Sequence, residues 1–119
     1  MKYDEEFCQV MAENIENAKH YGLEEVLLQT QEEAAELIQA ISKLNRAGSS
    51  DHPGRTAKAA MNNLMEETAD VQIMLDQIRI MYPSHAYDTI RTQKIARLEK
   101  RINQKRSSRK KAEAAADDD

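Results

Sequence analysis

The chain is poor in the residues that usually staple or break a fold. It has one cysteine, Cys8, in 119 residues. An internal disulfide is therefore excluded, and the expected setting is reducing and cytoplasmic. There is no tryptophan, and Phe7, Tyr3, Tyr21, Tyr82 and Tyr87 are the only aromatics, so aliphatics and methionine must build the core. Three glycines and two prolines are fewer than a strand-rich domain needs for its turns. No apolar run approaches the ~20 residues of a membrane span, and MKYDEEFCQ reads as no signal peptide. What remains is ordinary for a globular domain. The hydrophobic fraction of 40% beside 32% charged residues can bury a core, and the length suits one domain.

Charge is abundant but sorted. Residues 1–90 hold 7 Lys/Arg against 16 Asp/Glu, and residues 91–111 hold 10 Lys/Arg against Glu99 alone. Glu113, Asp117, Asp118 and Asp119 close the chain. A net charge of -4 argues against a general nucleic-acid binder. The basic stretch also has no interleaved aromatics on which bases could stack. No specific nucleic acid and no membrane are expected as partners.

The few breakers divide the chain into four helix-length segments. The first, about 4–21, carries Phe7, Val10, Met11, Ile15, Ala18 and Tyr21 at helical spacing, with Asp4 as cap and Gly22 as its stop. The second, about 23–46, carries Leu23, Leu27, Ala34, Leu37, Ile38, Ile41 and Leu44. Residues 47–54 read as a loop. The third, about 56–82, carries Leu64, Val71, Leu75, Ile78 and Tyr82, and Pro83 stops it. Ser84 caps a fourth, with Tyr87, Ile90, Ile95, Leu98 and Ile102. The expected fold is all-α, a four-helix bundle protomer. The domain should span 1–106, followed by a disordered charged tail over 107–119. Ile73 and Ile80 lie roughly opposite Leu64 and Val71 on the third segment. That second apolar side predicts cover from another subunit, in a homodimer or homotetramer.

The chemistry lies in acidic pairs. Glu33/Glu36 in QEEAAEL and Glu67/Asp70 in LMEETADV are each spaced i, i+3, which puts both members on one helix face about 60° apart. On a helical wheel Glu33 sits at the edge of its apolar stripe and Glu67 lies inside its own. Glu32 and Glu66 point away. Four carboxylates in a partly dry seam repel one another and demand neutralisation. Oxygen-only donors suit a hard ion, Mg²⁺, with Mn²⁺ able to replace it. A carboxylate-bridged di-iron site would need Glu-x-x-His. The residues three before His20, His52 and His85 are Asn17, Ser49 and Tyr82. Cys8 and the histidines show no zinc-ligand spacing.

QEEAAELIQAI, followed about thirty residues later by LMEETADVQIML, resembles the EExxE…ExxD signature of the MazG-like all-α nucleoside triphosphate pyrophosphohydrolases. The resemblance covers roughly residues 20–102. It implies that Glu33, Glu36, Glu67 and Asp70 are both catalytic residues and Mg²⁺ ligands. The implied reaction is hydrolysis of the α–β phosphoanhydride of a nucleoside triphosphate, a dNTP or non-canonical NTP, to NMP and pyrophosphate. It further implies assembly through helices and basic substrate contacts on the last core helix. Lys94, Arg97 and Arg101 supply these here, with Thr92 where the family tends to carry asparagine. Electrostatics agree: divalent cations are needed to bring a polyanionic triphosphate to four carboxylates, and basic side chains stabilise a leaving pyrophosphate. Tyr21, His20 and Tyr82 are candidates for stacking on a base.

Two other readings use the same residues. Phosphoribosyl-ATP pyrophosphohydrolase shares the carboxylates and differs in substrate. A non-catalytic helical oligomer or adaptor would leave the acidic motifs solvated. A metal-dependent rise in melting temperature separates the enzyme from the adaptor.

Overall fold

Local capping chemistry starts each helix where the polar punctuation stands. The computed structural model describes residues 4–47 and 56–117, and among them every regular element is an α-helix. Asp4 caps α1 (Glu5–Arg46), its carboxylate accepting from the Phe7 backbone N–H at 2.8 Å. Thr56 caps α2 (Ala57–Met81) by accepting from the Ala59 N–H at 3.1 Å. Tyr82 closes α2 through an N–H bond to the Ile78 carbonyl at 2.8 Å, and Pro83 follows. The Ser84 hydroxyl accepts from the Ala86 N–H at 3.1 Å at the start of α3 (Ala86–Asp117).

Gly22 divides α1. Its backbone has φ 80° and ψ 169°, non-helical values in a region open essentially to glycine. The first two segments read from the sequence are therefore the two arms of α1, residues 5–21 and 23–46. The expected loop at 47–54 lies, beyond Ala47, outside the described residues.

The chain divides into two compact units, Met1–Pro83 and Ser84–Asp119. In the first, α1 and α2 pack along their lengths. Glu33 approaches Glu67, while Val26 clusters with Met74, so the two stretches run antiparallel. Buried alanines at 18, 40 and 60 let the backbones come close. Val26, Glu33 and Ala40 recur at seven-residue spacing on α1, as do Ala60, Glu67 and Met74 on α2, and all six are buried or half-buried. This is the seam of a coiled-coil-like pair.

That seam is not centred on the apolar stripes read from the sequence. Leu27, Ile38 and Ile41 on α1 and Leu75 and Tyr82 on α2 are exposed, Ile38 to 67%. At about 100° per residue, the Val26–Glu33–Ala40 line is turned by roughly 80° from the α1 stripe and the Ala60–Glu67–Met74 line by roughly 50° from the α2 stripe. The turn carries Glu33 from the stripe's edge to the middle of the interface.

The second apolar side of α2 also differs from the expectation. Ile80 is partly buried against the Ala18–Val26–Met74 cluster of the same unit. Ile73 stays 46% exposed.

In the second unit, α3 is exposed along its length apart from half-buried Tyr87. The backbone over 107–117 is helical, where a disordered tail was expected. Ala112 and Ala114 to Ala116 are strong helix formers, and Arg109 stands four residues before Glu113, which offsets the lack of an apolar face. Asp118 and Asp119 lie outside the described residues.

Candidate metal centre

Helical periodicity and antiparallel packing together build the acidic cluster. The i, i+3 spacing brings Glu33 and Glu36 onto one turn of α1 and Glu67 and Asp70 onto one turn of α2. The seam then sets the two turns against each other. One carboxylate oxygen from each of the four residues lies within 4.8 Å of the others. Glu33, Glu67 and Asp70 are half-buried, and Glu36 is exposed at the rim.

Hydrogen bonding within the cluster is incomplete. Glu33 Oε1 accepts from the Gln29 side-chain amide at 2.8 Å. Glu33 Oε2 and Glu67 Oε2 are buried without any hydrogen-bond partner. Burying a carboxylate oxygen unpaired is costly, and having two in one seam multiplies the cost. A hard divalent cation removes it, since oxygen ligands of this kind suit Mg²⁺ or Mn²⁺. The residues therefore fit such an ion. The donor set itself contains neither thiolate nor imidazole.

Next to this cluster lies a cavity of about 200 Å³, lined by Tyr21, Glu25, Val26, Gln29, Met74 and Gln77. Val26 and Met74 form a buried apolar floor, and Tyr21 is 61% exposed at the mouth. Tyr21 packs edge-on against His20, ring centroids 5.1 Å apart. Gln77 is buried, and its amide nitrogen donates to Asn14 Oδ1 at 2.8 Å. Asn14 Nδ2 in turn donates to the Ile73 carbonyl at 3.4 Å.

The four predicted carboxylates are thus brought together. Tyr21 reaches the cavity, while Tyr82 is a half-exposed cap of α2. Lys94, Arg97 and Arg101 are exposed on α3, in the second unit. Gln29, Asn14 and Gln77 escaped the sequence reading. Asn14 did leave a signal: it stands between Val10, Met11 and Ala18 on the face of an otherwise apolar stripe.

Comparison with protein-family models, with curated proteins and with solved structures gives no match.

Proposed function

We propose that the α1–α2 seam is a divalent-cation centre and that the protein is a Mg²⁺-dependent nucleoside triphosphate pyrophosphohydrolase. The observation that supports this reading most is the convergence of Glu33, Glu36, Glu67 and Asp70 with two buried, unpaired oxygens. The spacing of the motifs around those residues resembles that of the MazG-like enzymes, and that resemblance suggests the reaction class. Water adds at the α-phosphorus, the α–β phosphoanhydride breaks, and NMP and pyrophosphate leave.

Bound Mg²⁺ supplies charge neutralisation and polarisation of the phosphates. The protein's own groups do the rest. Glu33, Glu67 and Asp70 hold the cation from the half-buried side, and Glu36 holds it from the rim. Gln29 holds Glu33 through a hydrogen bond to Oε1. One of the carboxylates orients the attacking water and takes up its proton. The resemblance alone implies Lys94, Arg97 and Arg101 of α3 as phosphate-binding residues, since guanidinium and ammonium groups offset the charge of a departing pyrophosphate.

Self-association belongs to the same proposal. The described residues expose large hydrophobics along both helices of the first unit, including Leu27, Leu28, Ile38, Ile41, Met61 and Met65. Such a surface marks an interaction face. A homodimer or homotetramer would cover it.

A panel of canonical and modified NTPs and dNTPs with Mg²⁺, including phosphoribosyl-ATP, tests the activity. Pyrophosphate is the expected product. Orthophosphate as the primary product contradicts α–β cleavage. No turnover of any substrate leaves the seam as a metal-stabilised structural element.

A further inference from the structure

We infer that α3 carries a binding face for the phosphate backbone of a nucleic-acid duplex, taken without regard to base sequence. The face lies outside the carboxylate seam and does not depend on the hydrolase reading.

Residues 91–111 hold 10 Lys/Arg against Glu99 alone, and all of them are exposed on one continuous helix. The net charge of -4 averages this stretch with an acidic body and so conceals it. None of these cations takes part in an ion pair among the described residues.

Their spacing is not that of a merely solubilising surface. Arg97, Arg101, Lys105 and Arg109 follow one another at i, i+4, and Arg106 and Lys110 form a second such row beside them. Like charges at that spacing oppose the helix, whereas a solvated face gains by alternating signs. At about 100° per residue, Lys105, Arg106, Arg109 and Lys110 fall within about 140° of one another, on two successive turns. An anion that brings several negative charges at once relieves the repulsion among them. Gln104 and Ser108 flank the Arg101–Lys105–Arg109 row, and these five side chains line one shallow groove along the helix. Every one of them can donate a hydrogen bond, and none is a carboxylate.

The nature of the polyanion follows from what the stretch lacks. From Asn103 to Lys111 no side chain is apolar. A helix that lies on a membrane needs an apolar face to bury. A protein partner needs an apolar centre inside its polar rim. A phosphate backbone needs neither, because release of its condensed counterions supplies the affinity. Guanidinium groups also pair bidentately with phosphate oxygens. Residues 91–111 include no aromatic side chain on which unpaired bases could stack, so the face suits a duplex more than a single strand. An α-helix is narrow enough to lie along the major groove of that duplex.

Fluorescence anisotropy of the full chain with a labelled mixed-sequence duplex of about 30 base pairs tests this, titrated from about 50 to about 200 mM salt. Four phosphate contacts give a slope of about -3.6 in log K against log salt, and binding should weaken about 100-fold across that range. Lys105→Gln combined with Arg109→Gln should halve the slope to about -1.8. Lys19→Gln combined with Lys58→Gln removes the same charge from α1 and α2 and should leave the slope unchanged. All four positions are exposed, so circular dichroism should show the same helix content in both variants. No binding at the lower salt, a slope that the α3 substitutions leave unchanged, or an equal loss in the other pair overturns the inference. Equal binding to poly-glutamate or to phosphatidylserine vesicles overturns it as well, since either would make the partner an acidic chain or a lipid surface.

Discussion

At the scale of single residues, the seam departs from the usual rule for packed helices. Positions equivalent to Val26 and Met74, seven residues away, are filled by Glu33 and Glu67, not by aliphatics. An apolar pair there would stabilise the hairpin more, because two carboxylates repel and two of their oxygens are buried unpaired. Glu67→Gln should therefore abolish pyrophosphate release and leave far-ultraviolet circular dichroism unchanged. In metal-free buffer it should melt no lower than the wild type. Full activity in this variant would remove Glu67 from the centre. Gln29 acts one step further out. It touches no cation but fixes Glu33 by a hydrogen bond. Gln29→Met should weaken Mn²⁺ binding by about 10–100-fold, as loss of a ligand's hydrogen-bond partner does elsewhere. Isothermal titration measures that change, and Gln29→Asn, with its shorter reach, should not restore the affinity.

At the scale of helices, Gly22 decides how much of α1 can serve the seam. A continuous helix would carry residues 5–21 straight past the end of α2. The break instead lets Ala18 join Val26 and Met74, and lets Asn14 bond to Gln77. No atom lies within 4 Å of a Cβ added at Gly22, so a substitution there fails through backbone conformation and not through a clash. Gly22→Ala should cost about 1–3 kcal/mol, read as a lower urea midpoint at constant slope. The breakers and caps made these elements legible: Asp4, Gly22, Thr56, Pro83 and Ser84 act close to where they stand in the sequence. The four carboxylates were legible for a similar reason, since i, i+3 spacing is a local property. The orientation of the seam was not. Hydrophobic periodicity locates an apolar stripe but does not say which partner covers it. Here Leu27, Ile38 and Ile41 point outward while Glu33 points in. The amide relay from Ile73 through Asn14 to Gln77 joins residues about sixty positions apart, beyond any spacing rule. The helical end of α3 was missed because polarity outweighed alanine's propensity in the reading.

At the scale of the whole molecule, the buried apolar residues among those described are few: Ala18, Val26, Ala40, Ala60 and Met74. A pair of helices with so small a core depends on further contacts for its stability. On the self-association reading, Ile38→Asp should shift the sedimentation coefficient toward that of the monomer and lower the melting temperature. An unchanged coefficient would take Ile38 out of the interface. On the proposed reading a bound divalent cation would be a second source of cohesion, and it carries the central claim. Melting of the full chain, followed by circular dichroism with and without Mg²⁺ or Mn²⁺, tests that claim most directly. A native-state ligand at about 100 times its dissociation constant adds about 2.7 kcal/mol. The melting temperature should therefore rise with either ion in the wild type and stay flat in Glu33→Gln and Glu67→Gln. No rise in the wild type, or an equal rise in both variants, would contradict a metal centre in this seam.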